Sequence, residues 1–461
     1  MTKETLISLT LLIAVSGLFS NAYSESLKPN ILVLIADDAG WRDFGCYGNA
    51  GIKTPNIDKL ADNGLSFTNA FLTTAQCSPS RISILSGKYP HATGAEDLHT
   101  PLPADQLLLP HFLKSAGYLS GNIRKAHLGP NGDRQFDWYS WWLSDFPAFL
   151  DSCGTQPFFM WVGFDDPHRP YRPGAIVRSH DPAQVTVPPF FADTPETRAD
   201  LVNYYDEITR MDTGIDSLIS ELTRRRMMEN TLIIFFSDNG APFPREKGTV
   251  YDAGIKTPLI FAWPKGIKPG GKYEGLVSLV DLAPTLLEIA GVRRPEQMHG
   301  SSIADVLADQ SLPGREYVFS ERNWHNCDEH IRSVRTNRLK LIENAYTERP
   351  LGSPSDITAS PTWQALYKLK QEGRLTKSQR LLFDVPRPRI ELYDVEADPW
   401  ELNNLASDPR YDDTVMELFS VLEEWKRETG DFPSDQRRKD DNTDRITGVK
   451  FTTEIKEVSG K

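Results

Sequence analysis

The stretch TLIIFFSDNG, residues 231–240, is an apolar run that ends in Ser, Asp, Asn and Gly. It does not alternate polar with apolar, so it reads as a strand buried on both faces. Two other runs share this form: NILVLIADD at 30–38 and PFFMWVGFDDPHRP at 157–170. Helical periodicity lies between and around them, at 56–64, at 107–117 and over the long segment 197–229. Buried strands alternating with helices imply an α/β fold, a mostly parallel sheet flanked by helices. Near residue 300 the texture changes. SVRTNRLKLIE (333–343) and RIELYDVEA (389–397) read as strands beside polar turns, and 411–428 as an amphipathic helix. This predicts a large domain over 25–300 and a smaller C-terminal α+β domain with an antiparallel sheet over 301–461.

Each of the three runs is followed by polar residues: Asp37-Asp38, then Asp166 and His168, then Asp238-Asn239. Open α/β sheets bind ligands beyond the carboxyl ends of their strands, so these groups should meet at one edge. Any one of them alone reads as a strand-ending turn. Three together, rich in carboxylates, read as a site. Asp37, Asp38, Asp238 and Asn239 are hard oxygen donors, which suit calcium or magnesium rather than zinc.

With 461 residues and 39% hydrophobic content, the chain can build one large core and a second, smaller one. No repeat of fixed period is visible. A formal net charge of −12 argues against a general nucleic-acid binder but leaves room for a local basic pocket. The one dense basic run, Arg224 to Arg226, falls near the end of the long helix, where cations suit the helix dipole. Residues 1–24 resemble a signal peptide: Lys3, an apolar stretch from Leu6 to Phe19, and Ala22 and Ser24 at a cleavage-type position. The expectation is a secreted or periplasmic protein with no membrane span in its mature chain. The four cysteines, Cys46, Cys77, Cys153 and Cys327, show no zinc-type spacing; two disulfides are possible in an oxidising compartment.

Cys77 opens the stretch CSPSR. A thiol phosphatase loop needs arginine six residues after its cysteine, and position 83 is serine. Pro79 suits the first turn of a helix, which places residue 77 at a helix N-terminus, where backbone N–H groups favour an anion. CxPxR resembles the signature of the formylglycine-dependent sulfatases. Asp37-Asp38, RKAHLG (124–129), DPHRP (166–170), SDNG (237–240) and EKGTVYDAGIKTP (246–258) resemble the remaining motifs of that family, in order. ELYDVEADPWELNNLA (391–406) is similar to its C-terminal signature.

The resemblance implies an alkaline-phosphatase-like fold and sulfate hydrolysis. It implies a calcium ion held by Asp37, Asp38, Asp238, Asn239 and an oxygen of a formylglycine made from Cys77 by a maturation enzyme. It implies that Arg81 holds the formylglycine and that Lys125, His127, His168 and Lys247 line the sulfate pocket. Two lysines and a cation suit the charge of a sulfate under attack. A hydrated aldehyde carries two hydroxyls on one carbon, one to attack sulfur and one to expel sulfate. Histidine suits protonation of the leaving group near neutral pH, with His168 the first candidate and His127 the alternative. The chain departs from the family at Ala126, where tryptophan is common.

SDNGAPFP, RSVRTNRLKL and SPTWQAL resemble the sulfamidase branch, which implies a sulfated oligosaccharide substrate carrying terminal N-sulfoglucosamine. SERNWHNCDEH (320–330) supplies Glu321, Arg322 and His325 as candidate sugar contacts, or is an ordinary polar loop; His99 is a further candidate. The alternatives are an O-sulfatase on another glycan and a catalytically silent glycan binder in which Cys77 is never modified. A phosphatase of the wider superfamily is disfavoured by CSPSR.

Overall fold

A computed structural model describes residues 28–436 and 438. The signal peptide expected over 1–24 and the end of the charged tail lie outside these residues. An eight-stranded sheet is built from β1 (Asn30–Ala36), β2 (Leu65–Phe67), β4 (Leu119–Arg124), β5 (Trp138–Ser140), β6 (Phe158–Gly163), β7 (Thr231–Ser237), β8 (Leu259–Ala262) and β9 (Gly271–Tyr273). A two-stranded pair joins β3 (Ala70–Phe71) to β10 (Val277–Ser278). The large sheet runs in the order β5-β4-β6-β1-β7-β8-β2-β9, with β8 antiparallel to both its neighbours and every other pairing parallel.

The three strands read from sequence are the centre of this sheet. Every residue of β1, β6 and β7 is buried, because apolar cores cover both faces. Each large side chain so removed from water contributes roughly 1.5–3 kcal/mol. The flanking strands were not predicted. β4, LSGNIR, carries too many small and polar residues to stand out; pairing with β6 and β5 makes it a strand.

The long helix spans Pro195–Arg224, with the Thr194 hydroxyl accepting from the Thr197 amide. It stops short of the predicted 229 because Arg226 turns left-handed, and a 3-10 turn covers Met228–Asn230. The predicted helix at 107–117 is confined to Leu109–Lys114 and that at 56–64 to Pro55–Asp62. Arg224 and Arg225 pair with Glu221.

A separate antiparallel sheet, in the order β11-β12-β13-β14, comprises β11 (Val318–Arg322), β12 (Ile331–Arg335), β13 (Leu339–Asn344) and β14 (Ile390–Asp394). The helix Asp412–Thr429 packs Leu418, Leu422 and Trp425 onto Val334, Leu341 and Leu392 of that sheet. Buried charges tie this sheet to the segment that leads into β8. Lys340 meets Asp252 at 2.9 Å and Glu401 at 2.7 Å, and Arg335 meets Asp252 at 3.1 Å. All four cysteines are free, so neither possible disulfide forms. Among the described residues, no helix is long and apolar enough to cross a membrane.

Candidate active site

Adjacent parallel strands bring their carboxyl ends to one rim. β1 delivers Asp37 and Asp38, β7 delivers Asp238 and Asn239, β4 delivers Lys125 and β6 leads to His168. Cys77 enters from the side, as the first residue of the buried helix Cys77–Ser86. Ligand atoms of Asp37, Asp38, Cys77 and Asp238 all lie within 4.8 Å of one another. The Cys77 Sγ is 3.6 Å from Asp38 Oδ1 and 3.5 Å from Asn239 Oδ1.

Three cations offset the three buried carboxylates. Arg81 donates from Nε to Asp238 at 2.7 Å, Lys125 meets Asp37 at 2.5 Å and Lys247 meets Asp38 at 2.6 Å. Arg81 also donates from Nη1 to the Lys125 carbonyl at 2.5 Å, which fixes the rim of β4 against the Cys77 helix. Burial would lower the pKa of Lys125 and Lys247, but Asp37 and Asp38 respectively hold them above the ordinary lysine range. Asp37 Oδ1 is buried with no hydrogen-bond donor. An unsatisfied buried carboxylate oxygen among oxygen donors fits a divalent cation. Asp37, Asp38, Asp238 and Asn239 would hold it.

Burial pushes the Cys77 thiol well above its ordinary range, against the pull of Lys125 and Lys247. As a plain cysteine it is a poor nucleophile here. His127 is half-buried, and desolvation, then Lys125, keep its pKa well below the ordinary value. His168 is partly exposed, with Nε2 3.7 Å from Asp38 Oδ2. Asp38, His99, Arg124 and His127 all take a left-handed backbone, with φ of 60° to 72°. Non-glycine residues take this conformation uncommonly, so the backbone of these loops is constrained.

The candidate sugar contacts divide. His99 stands beside His127, ring centres 5.2 Å apart, and its amide donates to Ser78 Oγ. His325 is buried against Gly248, and desolvation, then Lys247, lower its pKa strongly. Arg322 is buried and donates to the Gly352 carbonyl. Glu321 is fully buried and accepts from the amide and Nδ1 of His91 and from Asn323, so its carboxylate is already occupied. Asp356 was missed. It sits 3.1 Å from Lys247 and within 4.8 Å of Asp38 and His168 ligand atoms. Its only sequence signal, an acid after Pro354 and Ser355, reads as an ordinary helix start.

The sulfatase family model matches residues 29–144 and 141–292. The chain belongs to the sulfatase family. A second model, described as N-sulphoglucosamine sulphohydrolase, C-terminal, matches residues 245–378 of this sulfatase. Human N-sulphoglucosamine sulphohydrolase is 33% identical over 87% of this chain and 90% of its own length. An ulvan-active sulfatase of Formosa agariphila is 30% identical over 88% of this chain and 76% of its own. Among solved structures, BT4656 in complex with its substrate D-glucosamine-2-N,6-O-disulfate aligns with a TM-score of 0.64 and 20% identity, over 88% of this chain and 99% of that one. A phosphonate monoester hydrolase of Agrobacterium radiobacter aligns with a TM-score of 0.67 and 19% identity, over 87% and 96%. This sulfatase is therefore a hydrolase of sulfate esters or sulfamates on the alkaline-phosphatase-like fold.

Proposed function

We propose that this sulfatase removes the N-sulfate from N-sulfoglucosamine at the end of heparin-like oligosaccharides, acting after Cys77 has been converted to formylglycine. The observation that carries the reading is the packing of Cys77 with three carboxylates and three cations at the sheet rim. The likeness to human N-sulphoglucosamine sulphohydrolase supports the choice of sugar.

A hydrated formylglycine supplies a hydroxyl nucleophile and a second hydroxyl for release of sulfate, and a calcium ion supplies positive charge beside it. The chain's own residues do the rest. Lys125 and Lys247 offset charge on the sulfate oxygens. Arg81 locks the helix that carries residue 77. His168, partly exposed and beside Asp38, gives the leaving amine its proton. His127 stays neutral and serves as a hydrogen-bonding partner.

Two measurements test this. Sulfate release is followed on N-sulfoglucosamine and on O-sulfated sugars, and mass spectrometry is run on the tryptic peptide that ends at Arg81. The expected result is release from the N-sulfated sugar and a residue 77 lighter than cysteine by the difference between a thiomethylene and a formyl group. Turnover of only O-sulfated sugars would leave a sulfatase of another specificity, the reading that the Formosa relative favours. Active enzyme with unmodified Cys77 would overturn the mechanism. Chelation should abolish turnover and calcium should restore it, whereas stoichiometric zinc with activity intact after chelation would rule out the oxygen site.

A further inference from the structure

β5, β4 and β6 lie side by side and parallel, so their carboxyl ends open onto one stretch of rim. Arg124 and Lys125 emerge from β4, and Asp165 to His168 follow β6. Trp141 and Trp142 emerge from the edge strand β5. These residues line a cavity of about 780 Å³ that reaches Asp37, Lys125 and His168. That volume lies in the range of small-molecule sites and exceeds what a sulfate group alone needs.

The two indoles form its outer wall. Trp141 is 46% exposed and Trp142 63%, and neither belongs to a hydrophobic core. The turn that carries them is nevertheless fixed. The Trp142 amide donates to Ser140 Oγ at 3.0 Å, that hydroxyl donates to Asp145 at 2.5 Å, and the Asp145 amide donates to the Trp142 carbonyl at 3.1 Å. Large aromatics left in water on a fixed turn are costly unless something covers them. Beside a sulfate-hydrolysing centre, the fitting cover is the C–H face of a pyranose.

The charges of the cavity are also sorted. Arg169 is committed to Asp200, and Arg210 to Asp166 and Glu207. Arg124 Nη1 stands 3.5 Å from Asp165, but its Nε is buried with no acceptor. Arg172 lines the cavity with its guanidinium exposed, and no carboxylate pairs with it among the described residues. Arg172 is thus left to receive an anion, with Arg124, held by Asp165 through one amino group only, beside it.

We propose that this cavity binds the sugar next to the one being desulfated, stacked on Trp141 and Trp142. That neighbour is acidic, and Arg124 and Arg172 receive its carboxylate or sulfate. The preferred substrate is then an oligosaccharide of at least two sugars. This rests on the function proposed above, since it places the sulfated sugar at Cys77.

The test measures kcat/KM on N-sulfoglucosamine, on a disaccharide that joins it to a uronic acid, on one that joins it to a sulfated hexose, and on one that joins it to a neutral hexose. The parent should favour the acidic disaccharides over the monosaccharide by about tenfold or more, and the two acidic forms show which anion is preferred. Trp141→Ala with Trp142→Ala should collapse that ratio through KM. Arg172→Ala should erase the preference for an acidic over a neutral neighbour. A ratio unchanged by the tryptophan substitutions, with sulfate still released, overturns the proposal. If no N-sulfated compound is hydrolysed, the function reading has failed and binding decides this one. Indole fluorescence of the Cys77→Ala protein should then report the acidic disaccharide, with affinity about tenfold lower after the tryptophan substitutions. No binding to that protein overturns the inference.

Discussion

Asp43 shows how a single half-buried carboxyl shapes the behaviour of this chain. Burial raises its pKa from 3.8 to about 6, against the pull of the Tyr204 hydroxyl, which donates to it at 2.9 Å. A carboxyl raised by folding binds its proton more tightly in the native than in the unfolded chain. The stability this gives is complete below about pH 4 and is lost as the pH rises through 6. A shift of about two units corresponds to at most about 3 kcal/mol. Asp43→Asn should therefore melt higher than the parent at pH 7.5 and alike near pH 4, as read by calorimetry. Parallel pH profiles for the two proteins would refute the assignment. At this scale the sequence was legible where chemistry sits in a motif. Cys77, Arg81, Lys125, His127, His168 and Lys247 could be picked out, and they do gather at one rim. It was illegible where partners decide: nothing local shows that Glu321 is taken by His91, or that Asp356 reaches Lys247.

At the scale of elements, β1, β6 and β7 were readable because both faces of each are covered, which leaves an unbroken apolar run. Strands β4 and β5 were not, because their identity comes from the neighbours they pair with. Yet the end of β4 carries Lys125 into the site, and it rests on β6. Gly163 closes β6 beneath the Lys125 carbonyl. A Cβ there would stand 1.9 Å from that oxygen and 2.6 Å from Arg81 Nη1. Backbone cannot yield cheaply, so Gly163→Ala must separate β4 from β6 and shift Lys125. The expected outcome is a loss of sulfate release of roughly a hundredfold or more, since small displacements of positioning groups cost about that much. Near-parental turnover would show that the rim tolerates movement.

Across the whole molecule, the antiparallel sheet is fastened to the segment that leads into β8 by charge as well as by apolar contact. Burial would raise Asp252, but Arg335 and Lys340 overcome it and hold the carboxyl far below its usual range. Lys340 also serves Glu401, whose pKa burial raises despite that lysine. Lys340→Met removes one cation and leaves two carboxylates in a dry interface. Breaking a buried pair from one side costs about 3–5 kcal/mol. Denaturant unfolding should show a loss of that order, and a loss under about 1 kcal/mol would mean that water reaches the interface.

Cys77 is only 3% exposed. It lies beneath the loop that Gln76 grips through the Trp324 carbonyl and the Asn323 amide, and Arg81 is fully enclosed behind it. If the thiol is oxidised as proposed, a modifying enzyme has to seize CSPSR while the segment is still extended, before the strands close over it. Maturation and folding then compete for the same nascent chain, and the loser of that race cannot be rescued later. On that reading a folded molecule with an intact thiol would stay inert, so the active fraction of a preparation would record how fast oxidation ran relative to folding.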